Sequence, residues 1–442
     1  MNPQSKSKEW KLAPGQEFRF EVSTKSTITV KLKSGLAEYF GAELGTDAQY
    51  TFSGTNGAIF SWQGCVLEVS GECQSAYVAE ETPMESYINV HMGLQQLRVQ
   101  AHGEAEEGSG VAPRVMVVGP EDSGKTSLSR ILLNYAVRME ETPLFVDLDP
   151  ASASVAVPGT ISATSIGKTI DIQDGFMGSM AVAGSSADHQ PLVLQYGHQD
   201  QMENPVLFNL LVDKLASSID MRLAADRQAA ASGIIVDTHG STDLAKLGFL
   251  EHAIKALGIN VLLVVGNERM YSHFSSRVPT QTTVLKLAKS GGTVDRDANF
   301  RHQEQSQAIK QYFSGTTAEP RMSFSTVVNF ADTRVLRVGE DAKAPSSTLP
   351  LGETRKLTDT SVVDVEIDEG LSHSVLAVTD VPLPNDVELL PVSEDVVGVQ
   401  VLGFVNVTKV DMDKKRLTVT SPVPGRLPSN ILLYSHVKWM EV

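Results

Sequence analysis

Cysteine is nearly absent from this chain: only Cys65 and Cys73 occur among 442 residues. Two thiols make no disulfide framework, and without histidines nearby they cannot build a tetrahedral zinc site, so they read as core thiols of a reducing compartment. Long apolar runs are also missing. No stretch reaches the roughly 18 apolar residues that a membrane-crossing helix needs. Met1 to Trp10 is polar and lysine-bearing with no apolar signal core, and an intracellular protein is the expectation. Positive charge is scarce as well. With 37 Lys and Arg against 53 Asp and Glu, the formal net charge is −16. Such a chain repels a phosphate backbone outside local basic patches, so it suits protein partners better than sequence-independent wrapping of nucleic acid.

What is present describes a globular protein: 41% hydrophobic and 20% charged residues, over a length that suggests about three domains. From Phe18 to Val78, short β-like runs alternate with Ser-Gly, Asn-Gly and Gln-Gly turns, which predicts a β-sandwich. A helix is expected from Met84 to about Glu104, then a Gly/Ser/Ala linker. From Arg114 strands and helices alternate, with strands at Val115–Val118, Leu144–Asp149, Gly233–Thr238 and Val261–Val265. That is the pattern of a mostly parallel sheet covered on both faces. After Pro320 the helices stop and β-like runs return as far as His436–Met440, while Asp341 to Thr358 lacks periodicity and reads as a loop. The expected fold is α/β: a sandwich over residues 1–105, a central P-loop domain over 106–320 and a β-rich domain over 321–442.

The sharpest motif is Gly119-Pro-Glu-Asp-Ser-Gly-Lys-Thr126, set between the apolar strand Arg114–Val118 and a helix-like segment. Strand, glycine loop and helix in that order are what a phosphate-binding P-loop requires. The glycines let backbone N–H groups converge on a β-phosphate, Lys125 reaches the β- and γ-phosphates, and the Thr126 hydroxyl faces a magnesium ion at the helix N-terminus. Chemistry on such a phosphate needs a carboxylate on a neighbouring strand. Asp149, closing the apolar run from Leu144, reads as the magnesium or base position. Asp147 reads as a strand-end cap, and Asp237 is a second candidate. Arg296 and Arg301, after a Ser-Gly-Gly turn, are candidates for a lid over a transferring phosphate.

Taken with the flanking sequence, the motif resembles the Clp family of RNA 5′-hydroxyl polynucleotide kinases and messenger RNA cleavage and polyadenylation factors. The resemblance rests on Val115 to Thr126, Leu132-Leu-Asn-Tyr-Ala-Val-Arg138, Phe18-Arg-Phe-Glu-Val22, Gly35 to Leu44, Val157-Pro-Gly-Thr160 and Lys289 to Arg296. It implies a phosphate site on Asp122, Ser123, Gly124, Lys125, Thr126 and Ser127. It further implies Mg2+ on Thr126 and Asp149, a catalytic carboxylate at Asp149, lid arginines at Arg296 and Arg301, and an adenine clamp at Glu17 and Asn56.

Departures from the family's kinases fall on the RNA side. An Asp-x-Gly-Gln element is Asp149-Pro-Ala-Ser152 here, and the stacking Trp after a Cys-Gly pair is lost within Thr238-His-Gly-Ser241. A Gly-Ser-Thr-Thr-Pro substrate loop is Gly197-His-Gln-Asp-Gln-Met202, where Asp200 adds negative charge, and the clamp lysine is Asn56. The resemblance therefore implies a nuclear, ATP-binding but catalytically silent subunit of the pre-mRNA 3′-end cleavage machinery, cleavage factor IA. It would be required for cleavage and transcription termination. Its partners would be a Pcf-type scaffold subunit and other 3′-end processing proteins, with indirect or weak RNA contact. The alternative is an active RNA 5′-hydroxyl kinase.

Overall fold

The structure, a computed structural model, describes residues 7–104, 111–152, 154–175, 191–316, 320–339, 360–381, 396–429 and 431–440. The chain opens with β1 (Lys8–Leu12), β2 (Gln16–Glu21), β3 (Ile28–Gly35), β4 (Glu38–Tyr39), β5 (Ala42–Glu43), β6 (Gln49–Phe52), β7 (Asn56–Ser61), β8 (Cys65–Gly71) and β9 (Ser75–Ala79). These strands form two sheets, ordered β1-β8-β3-β6 and β5-β4-β7-β2-β9. Period-two alternation turns Ile28, Val30 and Leu32 of β3 and Leu67 and Val69 of β8 into a core shared with Phe18, Phe20 and Ile59 of the other sheet. This is the expected sandwich. Cys65 is buried and Cys73 half-buried, both as free thiols.

Helix α1 (Met84–Glu104) follows. Its buried stripe, Met84, Tyr87, His91, Leu94, Arg98 and Ala101, advances by threes and fours, the spacing of one helical face. The stripe includes His91 and Arg98, and Arg98 docks on the Ser232 carbonyl of the central domain, so apolar patterning alone underreports it.

The central domain comprises β10 (Arg114–Val118), α2 (Lys125–Arg138), β11 (Leu144–Asp147), β12 (Thr160–Ser165), β13 (Leu192–Gln195), α3 (Pro205–Ala225), α4 (Arg227–Ser232), β14 (Ile234–Asp237), α5 (Leu244–Ala256), β15 (Val261–Val265), α6 (Glu268–Arg277), β16 (Thr283–Leu287) and α7 (Ala298–Ser314). Its sheet runs β13-β12-β11-β14-β10-β15-β16. Strands β11, β14, β10, β15 and β16 are parallel, whereas β12 and β13 pair antiparallel at one end. Alternate residues of β10 serve opposite faces. Met116 and Val118 pack with α3, α5 and α6, and Val115 and Val117 with α1 and α2. Helix starts follow side-chain caps: Asn204 accepts from the Leu207 amide with Pro205 in the first turn, and Asp297 accepts from the Phe300 amide.

Three strands of this sheet are not evident in the sequence. In β12, Thr-Ile-Ser-Ala-Thr-Ser, short hydroxyl residues interrupt any apolar run although most positions are buried. β13 is only four residues long, and the edge strand β16 is mostly exposed.

The last domain holds β17 (Phe324–Asn329), β18 (Arg334–Val338), β19 (Val362–Asp364), β20 (Val375–Thr379), β21 (Val401–Asp411), β22 (Arg416–Ser421) and β23 (Ile431–Leu433), ordered β17-β22-β21-β20-β23-β18-β19. The run His436–Met440 is not a strand; a single bridge, Ser374 to Lys438, ties it to the sheet. The expected loop at Asp341 to Thr358 and most of the linker near residue 106 lie outside the described residues.

The sandwich is latched onto the outer face of α2. Glu38 of β4 accepts hydrogen bonds from the Tyr135 hydroxyl and, at 3.0 Å, from Arg138, while Asn134 donates to the Phe40 carbonyl at 2.8 Å. Burial pushes the Glu38 carboxyl up, more than Tyr135 and Arg138 pull it down. The latch closes a cavity between the two domains.

Candidate functional site

That cavity, about 660 Å³, is walled by the sandwich on one side and by the Gly119–Thr126 loop on the other. The loop leaves β10, curls through Asp122 at φ 52° and Gly124 at φ 86°, and enters α2. Gly124 stands at the helix cap without a side-chain bond, which leaves the first-turn N–H groups directed at the cavity. Space for an anion depends on missing side chains. A Cβ on Gly119 would sit 2.7 Å from the Val265 carbonyl, and one on Gly240 would sit 2.7 Å from the Lys125 ammonium. Lys125 and the Ser123 hydroxyl both donate to the Pro120 carbonyl at 2.8 Å.

Three aspartates meet beneath the loop. Thr126 donates to Asp237 at 2.5 Å, the Asp149 amide donates to Asp147 at 3.0 Å, and Asp149 shares a 2.9 Å contact with His239 Nδ1. Strand β11 ends at Asp147, so Asp149 projects from the turn beyond it rather than from the strand. Burial lifts Asp147 well above the usual carboxylate range, helped by the charges of Asp237 and Asp149. Burial also raises Asp149, but His239, the Ala151 amide and Lys125 outweigh it and hold the group below its ordinary value. For Lys125, burial lowers the ammonium against the surrounding carboxylates.

Asp237 carries a checkable pH effect. Burial pushes it from 3.8 up to about 6, despite Lys125 and Thr126. Across that window the folded protein binds more protons than the unfolded chain, so this group's contribution to stability falls as pH rises through it. In nucleotide-free protein with chelator, Asp237→Asn should melt higher than wild type near pH 8 and match it below about pH 4. Equal melting temperatures at both extremes would show that the buried carboxylate carries no strain.

Asp122 anchors the other side. The Arg296 Nε and backbone amide donate to it at 2.8 and 2.9 Å, Arg301 donates at 2.6 Å, and Arg296 also reaches Glu304 at 2.8 Å. Although burial opposes ionisation, these arginines keep Asp122 below the normal range. Arg301 lies in the first turn of α7, and Arg296 just precedes its cap. Glu17 and Asn56 line the sandwich wall. Glu17 is buried, ion-paired with Arg19, and accepts from Thr82 at 3.0 Å. The structure thus gathers Glu17, Asn56, Asp122 to Ser127, Asp149, Arg296 and Arg301 around one cavity.

Three family models match consecutive parts of the chain. The N-terminal beta-sandwich domain of polyadenylation factor matches residues 11–101, the mRNA cleavage and polyadenylation factor CLP1 P-loop matches 119–315, and the pre-mRNA cleavage complex II protein Clp1 model matches 322–441. The chain belongs to the Clp1 family. It is 38% identical to the Protein CLP1 homolog of Drosophila melanogaster over 441 residues, covering 99% of both chains. To the Protein CLP1 homolog of Dictyostelium discoideum it is 37% identical, over 96% of this chain and 88% of that one. Its fold is similar to that of Clp1p in a wild-type Clp1p–Pcf11p complex, with TM-score 0.83, 25% identity and full coverage of both chains. A second structure, of an extended Pcf11p–Clp1p interface and ATP loss in a glycine-to-arginine point mutant, matches equally well over 99% of this chain.

Against that Clp1 frame, His239, Glu304 and Arg19 were not legible as site residues. His239 stands two positions after Asp237, and that spacing beyond an apolar strand was the one available hint. Asp200, read as a repelling charge, is paired with Lys246 at 2.9 Å.

Proposed function

We propose that this protein is an ATP-binding subunit of the nuclear pre-mRNA 3′-end cleavage machinery, with ATP and Mg2+ held as a structural ligand between sandwich and P-loop domain. One observation carries the reading: the phosphate loop is intact, while the candidate base Asp149 shares its Oδ1 with His239 and the stretch where the kinases carry a stacking Trp reads Thr238-His-Gly-Ser241. The donor set fits the ligands. Lys125 and the convergent N–H groups suit a triphosphate, and the oxygen donors Thr126, Asp237 and Asp149 suit a hard cation. Glu17, Asn56 and the loop residues Asp122 to Ser127 then form the nucleotide seat, with Arg296 and Arg301 closing it. The division at residues 105/106 and 320/321 is supported by the gaps between the matched ranges 11–101, 119–315 and 322–441. Bound at about a hundred times its dissociation constant, such a ligand adds about 2.7 kcal/mol to stability.

The partner follows from the Clp1p–Pcf11p complexes: a Pcf11-type scaffold. A ligand shifts partner binding only by its differential interaction with two states, and a ligand that braces the fold need supply none. Pull-down of the scaffold by wild type and by folded, nucleotide-free Lys125→Ala, each checked by circular dichroism, should give equal capture. Loss of the partner by a well-folded variant would make ATP a switch instead.

Catalysis supplies a second check. With Asp149 tied to His239 and the stacking aromatic replaced, labelled ATP should transfer no phosphate to a 5′-hydroxyl RNA oligonucleotide. Labelled RNA at a rate abolished by Asp149→Ala would establish the kinase.

A further inference from the structure

Helix α7 begins at the nucleotide cavity and ends inside another domain. Its first turn carries Arg301, bonded to Asp122. One turn on, Gln305 donates to the Ala151 carbonyl at 3.0 Å, beside Asp149. Its last turns bury Ile309, Tyr312 and Phe313 in the core of the C-terminal domain, with Phe404, Leu433 and Trp439. There the Phe404 amide donates to the Tyr312 hydroxyl at 2.9 Å, and the Phe313 ring stacks on Trp439 at 5.5 Å with 16° between planes. Unbroken helix joins Arg301 to Phe313, a span of about 18 Å.

The segment that ends in Trp439 also touches the central domain. The His436 amide donates to the Gly197 carbonyl at 2.9 Å, and the His436 ring stacks on His198 at 4.6 Å. Trp439 is itself fixed, its amide donating to the His373 carbonyl at 2.7 Å. Among the described residues, the arginines are held at the cavity end by the buried carboxylate of Asp122, 6% exposed, but are themselves about a third exposed, Arg296 37% and Arg301 33%. Ion pairs that solvent reaches from one side locate a helix less firmly than a packed core does. The buried aromatic anchor at the far end is the stronger one.

We propose that the C-terminal domain positions the arginines: Tyr312, Phe313 and Trp439 hold α7 as a rigid lever, and their packing sets how strongly the site prefers a nucleoside triphosphate over the diphosphate. The inference rests on the reading of the cavity as an ATP site. Guanidinium groups over the terminal phosphate recognise the charge by which ATP exceeds ADP. A lever that loses its anchor gives up that discrimination and leaves contacts to the α- and β-phosphates in place. A merely structural role would weaken both nucleotides together.

The test is calorimetric titration of the full chain with Mg-ATP and Mg-ADP, comparing wild type, Trp439→Ala, Trp439→Phe and Arg301→Ala. Trp439→Ala should bind ATP about tenfold more weakly with ADP affinity unchanged, matching Arg301→Ala, since a charge-assisted hydrogen bond is at stake. Trp439→Phe, which keeps a stacking ring, should restore the wild-type ratio. Tyr312→Phe, which removes only a hydroxyl, should shift the ratio two- to threefold in the same direction and serves if Trp439→Ala does not fold. An unchanged ATP-to-ADP ratio in folded variants, or equal weakening of both, overturns the lever while the ATP site stands. Wild type that binds no ATP overturns the site and the lever with it.

Discussion

Lys125→Ala lowers ATP affinity about ten- to a hundredfold. The ammonium is buried at the mouth of the loop, 7% exposed, with Asp237, Asp149, Asp122 and Glu121 as its nearest charges. Its removal deletes charge-assisted hydrogen bonds of about 1.5–3 kcal/mol, which is one to two factors of ten in a binding constant. A second effect adds to the first. Three acidic side chains that line the cavity, Asp149, Asp122 and Glu121, then face an incoming polyanion without the buried cation that offsets them. Calorimetric titration with Mg-ATP measures the loss, and unchanged affinity would remove the loop from the nucleotide site. Melting curves taken with and without ATP should show the ligand-dependent rise disappear in the variant.

Arg98→Ala destabilises the nucleotide-free protein by about 3–5 kcal/mol, the range for breaking a buried charged network from one side. Arg98 is fully buried on α1. It donates to the Ser232 carbonyl at 3.0 Å and to Gln95 at 3.3 Å; Gln95 in turn donates to Glu141 at 2.8 Å, and the Ser232 hydroxyl donates to Glu141 at 2.9 Å. Burial lowers the guanidinium to about 10, against the pull of Glu141, so it stays charged at neutral pH. Truncation leaves the Glu141 carboxylate short of a counter-charge and opens a void where the largest of the fully buried side chains stood. Urea unfolding followed by circular dichroism is the measurement. A loss under about 1 kcal/mol would mean that α1 is held by its apolar residues alone. Arg98→Lys should recover part of the loss by keeping the charge without the fork of donors.

The contrast between these two residues indicates what a sequence discloses. Lys125 was legible because glycine spacing, an apolar strand before it and a helix after it all agree on one structure, and each is local. Arg98 was not, because nothing within α1 distinguishes an arginine that points at Ser232 from a solvated one; its partners lie up to 134 positions away. The same division runs through the sheet. Strands β10, β14 and β15 are continuous apolar runs because both faces are covered, and they were found. Strand β12 carries much of its burial on threonine and serine, β13 is a run of only four residues, and the antiparallel pairings of β12 with β11 and of β13 with β12 reveal them. Around the cavity, Arg296 and Arg301 could be marked as a pair, but not their shared grip on Asp122. Nor could Glu17 be seen to hold Arg19.

The walls of the cavity have a consequence for biosynthesis. Strand β10, which bears the phosphate loop, is flanked by β14 and β15, and the cavity is finished only by residues as late as Gln311. A ribosome must therefore extend the chain from Thr126 past Gln311 before a complete seat exists, about ten to forty seconds at ordinary elongation rates. During that interval the sandwich can fold on its own contacts, while the loop strand waits unpaired for partners more than a hundred residues downstream. A ligand of the cavity cannot hasten this stage, since its seat is not yet built; it can only secure the product.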